Sequence, residues 1–359
     1  MPGRLTPSSR KGRMATILTC ILLVAVILTF LVARQVVDDG DQEQAETGAA
    51  GSSDGSAEPT SQSGPSAGGP KAPQQLVEAS GVTSLTLPEH VSVAEDEFVV
   101  EAGHSYLLSF QLGTVKPEGE PGTIMYLGVT LSCSGAASGT IGGTENLLPG
   151  EPVTYSNQML LTPSSGGRVT CRVSASSPVE DVPAKGSTIE VDASWKASRL
   201  AGYAVEAPAG EGLPMNVPQG ERSEAFSQVV PLHSVPSGRL DVLSTLHVTT
   251  CTGTGGSREN GRVWCARKDL DGEGSDFDLE IRVDVVHADG SVCESLRRVV
   301  TSRHVDANRH HALFQLYDSV VVPESACGSA LRVSVVVVNA GPASLVIHES
   351  NSSFIAAEM

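Results

Sequence analysis

The sequence predicts an all-β protein. Two tandem β-sandwiches, immunoglobulin-like or jelly-roll in topology, follow one N-terminal transmembrane helix and a disordered stalk. Three observations carry this reading. Past Leu76 short runs of alternating polarity, such as SYLLSFQL, IMYLGVTLSC, RVTCRVSAS, FDLEIRVDVV and ALFQLYDSVVV, are separated by Gly, Pro, Ser and Asp clusters, and no stretch sustains helical spacing. Two of these runs recur, in order, further along the chain. Near the N-terminus twenty consecutive residues carry no charge.

Those twenty, Met14 to Ala33, would form a helix about 30 Å long at ~1.5 Å per residue, the thickness of one bilayer core. Arg4, Arg10, Lys11 and Arg13 precede them, whereas Arg34 alone follows before a run of acids. The positive-inside bias therefore assigns residues 1–13 to the cytoplasm and the rest of the chain to the far side. A cleaved signal peptide ending near Leu31–Ala33 is the rival reading, but its apolar core would be shorter, roughly 7 to 15 residues. From Asp38 to Gln75 there is no Val, Ile, Leu, Phe, Tyr or Trp, so residues 34–77 are expected to remain a disordered stalk that cannot bury a core. Gly51–Gly55 (GSSDG) matches a nucleophile elbow in letters only, because that motif needs a strand before it and a helix after it.

The repeats define the domains. VEAGHSYLLS from Val100 and VPSGRLDVLS from Val235 share their spacing, with Gly103 and Gly238 at equivalent turns. PSSGGRVTCRVS from Pro163 and PESACGSALRVS from Pro323 share theirs. We read a tandem duplication: copy A over 78–199, a Pro-containing linker over 200–220, and copy B over 221–359. Each copy is long enough for one sandwich with its own core.

Charge and cysteine usage narrow the partners. All forty-one acids lie at or beyond Asp38, with nineteen basic residues against them, so the exported part is strongly acidic. Nucleic acid is excluded as a partner, since binding it requires clustered Lys and Arg. Outside the anchor there are six cysteines, Cys133, Cys171, Cys251, Cys265, Cys293 and Cys327, an even number that reads as disulfides in an exported chain. Cys133 and Cys171 fall alone in copy A and are expected to pair. Arg outnumbers Lys eighteen to six, a usage associated with GC-rich bacterial genomes and a bacterial cell surface. Fourteen aromatics, with Trp195 and Trp264 the only tryptophans, do not indicate a sugar-stacking platform.

Copy B carries roughly seventeen residues more than copy A between YLGVTL and its counterpart DLEIRV, the register having widened from 135 to about 152. The insertion holds Cys251, Trp264, Cys265 and most of the window DLDGEGSDFDLE, Asp269 to Glu280. In a twelve-residue calcium loop Asp269, Asp271, Glu273 and Glu280 occupy ligand positions, Ser275 supplies a carbonyl, and Gly274 makes the sharp turn. Calcium is thus a candidate cofactor, although Asp276 stands where an aliphatic residue is usual and the flanks look like strands. The alternative is an acidic, solvated hairpin. A second constellation, RHVDANRHH from Arg303 to His311, offers His304, Asp306, His310 and His311 as metal ligands or general bases, without any established zinc spacing.

Two functional readings follow. One is a membrane-anchored extracytoplasmic binding or structural module that presents both sandwiches to a protein or cell-envelope ligand. The other is an exported metal-dependent hydrolase centred on His304, Asp306, His310 and His311. The first is favoured, because no nucleophile–base motif lies in a folded segment.

Overall fold

The computed structural model describes residues 73–86, 89–115, 125–147, 150–177, 188–207, 213–251, 256–259, 262–265, 274–307, 311–323 and 327–359. All belong to one compact unit, Pro65–Met359. The expected anchor at 14–33 lies outside the described residues, among which no helix is long and apolar enough to cross a membrane.

Four antiparallel four- and five-stranded sheets pair face to face. In the first sandwich, β1 (Gln74–Thr86), β8 (Thr188–Arg199), β3 (Tyr106–Val115) and β6 (Pro152–Leu161) form one sheet in that order. The facing sheet is β2 (His90–Val100), β7 (Gly167–Ser176), β4 (Met125–Gly135) and β5 (Gly139–Leu147). In the second sandwich, β10 (Met215–Val217), β19 (Ser344–Ala357), β12 (Arg239–Cys251) and β17 (His311–Val321) form one sheet, with β9 (Ala204–Glu206) also pairing β19. Opposite it lie β11 (Arg222–Pro231), β18 (Ala330–Asn339), β15 (Ser275–Val286) and β16 (Val292–Val305). Counted within each sandwich, with β9 and the inserted hairpin between β12 and β15 left out, the strands run 1-8-3-6 against 2-7-4-5 both times. This is the eight-stranded jelly roll, and it separates the two topologies that the sequence left open.

Alternation builds both cores. In β8, Ile189, Val191, Ala193, Trp195 and Ala197 point inward while Glu190, Asp192 and Lys196 point out. In β18, Leu331, Val333, Val335 and Val337 do the same. Each such aliphatic side chain, fully buried, contributes about 1.5–3 kcal/mol. Trp195 is sealed against Phe98, ring centroids 6.3 Å apart.

The repeated sequence runs fall on equivalent strands. Gly103 and Gly238 both take positive φ, +74° and +69°, at the turn into the third strand of their sandwich. The runs from Pro163 and Pro323 lead into β7 and β18, the seventh strand of each. Between the third and fourth strands the second sandwich adds a hairpin, β13 (Gly256–Glu259) and β14 (Arg262–Cys265).

Strands extend beyond the expected boundaries at two places. β1 begins at Gln74, inside the expected stalk, because its main chain pairs with β8 from Arg199 onward whatever its side chains. The expected linker supplies β9 and β10, both hydrogen-bonded to β19. Disulfides join Cys133 to Cys171 across the register partners of β4 and β7, and Cys293 of β16 to Cys327 just before β18. The side chains of Cys251, Trp264 and Cys265 lie outside what is described.

Candidate functional site

The two sandwiches meet along a seam where strand edges are closed by side chains. β6 and β17 are each the last strand of their sheet, so one row of their main-chain groups faces away from the ladder. On β17, the His311 N–H donates to Asn146 Oδ1 at 2.7 Å and the Leu313 N–H to Glu145 Oε1 at 3.1 Å. On β6, the Leu160 N–H donates to Glu206 Oε2 and the Ser156 carbonyl accepts from Gln315 Nε2, both at 3.1 Å. Every one of these partners comes from the other sandwich or its adjoining strand β9. Burial raises the Glu206 carboxyl above the usual range, although the Leu160 N–H opposes this.

At the centre of the seam β19 carries an irregularity. Thr245 and His247 of β12 face Ser353 and His348, so β19 has extra residues between its paired positions. Asn351, with φ of 68°, lies in this bulge. Its side chain donates to Thr144 Oγ1 and its carbonyl accepts from Asn157 Nδ2 at 2.8 Å. A Cβ on Gly142 would sit 2.4 Å from Asn351 Oδ1, so only glycine lets β5 approach the bulge this closely. A small apolar cluster of Leu200, Ile355 and Ala357 continues the seam.

Beside the bulge, three histidines converge on the outer face of the second sandwich. His247 of β12 is the direct register partner of His348 on β19, and His311 of β17 pairs with the neighbouring Thr249. One ligand atom from each lies within 4.8 Å of the others. His247 Nε2 is 3.0 Å from His311 Nδ1, and the His247 and His348 rings stack with centroids 4.5 Å apart. His247 Nδ1 lies 3.1 Å from the Ser350 carbonyl of the bulge; a carbonyl only accepts, so Nδ1 carries a proton. Thr249 Oγ1 is 2.9 Å from His348 Nε2. Burial lowers the His348 pKa to about 4, so this ring is neutral at pH 7.

The residues expected from the sequence are distributed differently. His311 joins the trio, whereas His304 sits between two carboxylates, Nδ1 2.7 Å from Asp276 Oδ1 and Nε2 3.2 Å from Asp306 Oδ1. The hydrogen bond to Asp276, helped by the charge of Asp306, raises the His304 pKa. His304 and Asp306 thus lie together, while His311 faces His247 and His348; His310 lies outside the described residues.

In the calcium window, Asp269, Asp271 and Glu273 lie outside the described residues. Asp276, Asp278 and Glu280 do share one face of β15, opposite Phe277, Leu279 and Ile281. Glu280, however, is 2% exposed and bound by Arg222, by Arg282 at 3.1 Å and by Arg298 at 2.5 Å. Three guanidiniums at one carboxylate repel a cation, so Glu280 is corrected from calcium ligand to ion-pair centre. Burial pushes its pKa up, but the Arg298 hydrogen bond and the three positive charges outweigh this and hold it below the ordinary value. Ser275 opens β15, its hydroxyl within reach of Asn339 Oδ1 and the Ala343 carbonyl.

His247 and His348 escaped the sequence reading because only the β12–β19 register brings them together. The available signal was two imidazoles beside buried aliphatic residues, His247 between Leu246 and Val248 and His348 after Ile347.

No family model matches the chain, and no curated protein matches it. Among solved structures it is similar to the N-terminal CBM22-1–CBM22-2 tandem domain from Paenibacillus barcinonensis Xyn10C, with 11% identity over 81% of this chain and 99% of that one and a TM-score of 0.25. Infectious bursal disease virus, Gx strain, gives 12% identity over 82% and 75%, with a TM-score of 0.28. Broad Bean Stain Virus gives 9% over 83% and 93%, with a TM-score of 0.24. Likeness this distant leaves the function to be argued from the chain's own side chains.

Proposed function

We propose that the chain is a membrane-anchored extracytoplasmic binding or structural module that holds a protein or cell-envelope ligand with its paired jelly rolls. The observation that carries this reading is a polar cleft of about 260 Å³ that straddles the seam. Ser109, Gln111, Ser156, Gln158 and Lys196 line it from the first sandwich and Gln315 from the second. Its neutral hydrogen-bonding groups, with the Lys196 ammonium and the Glu78 carboxylate, suit an extended polar chain, peptide or glycan, and Gln315 reaches it only while the two sandwiches stay in register. The seam supplies that register, unlike the loose interfaces usual between domains of one chain. The disulfides fit an oxidising compartment.

Co-sedimentation of the full chain with isolated cell-envelope fragments tests the reading. Gln111→Arg combined with Lys196→Glu, both at outward positions, is expected to abolish co-sedimentation while leaving the melting temperature unchanged. Undiminished binding by this variant would overturn the assignment of the cleft. Alkaline extraction should leave the intact chain with the membrane, and release of a shortened soluble form would overturn the anchor.

A further inference from the structure

We propose that His247, His311 and His348 bind one zinc-class divalent transition-metal ion, and that this ion fastens the bulged strand β19 to the edge strand β17 beside the seam. The inference is independent of which ligand occupies the cleft.

The donor set decides the class of ion. Three imidazole nitrogens, without thiolate or carboxylate, suit zinc, copper(II), nickel or cobalt, whereas calcium and magnesium require oxygen ligands. The three rings also come from three adjacent strands of one sheet, at register positions that the main-chain ladder fixes. Such a set on rigid strands needs little ordering when an ion arrives.

The spacing is close to what an ion demands. Zinc–nitrogen bonds of ~2.0–2.1 Å place two tetrahedral ligand atoms about 3.3 Å apart. His247 Nε2 and His311 Nδ1 stand at 3.0 Å, so their mutual hydrogen bond already has nearly the length of a coordination edge. The widest separation, within 4.8 Å, closes by rotation of the half-buried rings of His311 and His348. On binding, the ion replaces the proton that lies between His247 Nε2 and His311 Nδ1, and that proton leaves to solvent or to a ring nitrogen that does not face the ion.

Outer contacts hold the ligands as metal-bound histidines are usually held. The His247 Nδ1–H donates to a main-chain carbonyl, that of Ser350, which fixes both tautomer and ring plane. Thr249 Oγ1 contacts His348, and Asn146 of the first sandwich grips the main chain of His311. Because the Ser350 carbonyl belongs to the bulge that docks on Gly142, Thr144 and Asn157, occupancy of the site and closure of the seam support each other.

The test uses the untagged full chain, stripped with a chelator and dialysed against zinc. The expected result is saturable uptake of one ion per chain and a raised melting temperature that magnesium and calcium do not reproduce. His311→Gln and His348→Gln should each weaken zinc binding by about a hundredfold or more, beyond the usual effect of outer contacts. His304→Gln should leave binding unchanged. Uptake that survives in the double variant His311→Gln/His348→Gln, or that disappears in His304→Gln, would overturn the proposal, as would the absence of saturable uptake. Should the variants fail to fold, cobalt in the wild-type chain decides: the strong visible bands of a four-coordinate ion support the site, and the weak spectrum of the hydrated ion overturns it.

Discussion

Asn157 Nδ2 donates to the main-chain carbonyl of Asn351 at 2.8 Å, across 194 residues and between two sandwiches. The same amide also donates to the Gly142 carbonyl, and Asn157 Oδ1 accepts from the Ser353 hydroxyl at 2.7 Å and from the Gln158 N–H at 2.9 Å. Asn157 is fully buried, so its own amide has no water as a substitute for these partners. Asn157→Ala strands at least two carbonyls and a hydroxyl, and is expected to destabilise the chain by about 2–4 kcal/mol. Urea denaturation measures this; a loss below ~0.5 kcal/mol would mean the seam contributes little to folding.

Glu280 offers a second measurement, in which sign matters. Its folded pKa is depressed, so the stabilisation it provides is complete above the unfolded carboxylate value near 4.5 and is lost as pH falls through the lower folded value. Glu280→Gln should therefore cost stability at pH 7, about 1–3 kcal/mol since the three arginines are partly exposed and can rehydrate. The difference from wild type should hold constant down to about pH 5 and shrink below it. A gap that instead grows on acidification would contradict the ion-pair assignment.

The same arginines bear on calcium. With Glu280 committed to them, the twelve-residue window has lost its bidentate last ligand. Calcium at up to ~1 mM, the upper range for extracellular modules, is expected to leave the melting temperature unchanged. A calcium-specific rise abolished by Asp269→Ala with Asp271→Ala would restore the loop as a site.

Much of the architecture was legible because it is local. Alternation marked β3, β4, β7, β15 and β17, the turn glycines Gly103 and Gly238 marked equivalent corners, and the widening register marked the β13–β14 insertion between β12 and β15. Each signal lies within a few residues along the chain. What the sequence hid depends on pairing at long range. His247 meets His348 only because β12 lies beside β19, an eighth strand returning next to a third, and no periodicity announces that. Glu280 looked like a calcium ligand because its window was read along the strand, while Arg222 and Arg298 approach from other strands. β10 was passed over since three residues, Met215–Val217, are too few to show alternation. The jelly-roll order itself is a matter of which edges meet.

Glu206 supplies the last prediction, and its sign is opposite to that of Glu280. It lies on β9, where its carboxylate accepts the Leu160 N–H at the open edge of β6. Burial raises its folded pKa above 4.5, so the native state binds a proton more readily than the unfolded chain does. The carboxylate therefore carries no penalty below the unfolded value, acquires one as pH rises toward the folded value, and carries all of it beyond. Glutamine in its place keeps an oxygen for the Leu160 N–H and has no charge to desolvate. Glu206→Gln is accordingly expected to melt higher than wild type at pH 7 and to converge with it below about pH 4.5. Melting curves of the two chains across that range decide it: a variant less stable at pH 7 would show that the ionised carboxylate, despite its burial, holds the seam more tightly than a neutral amide.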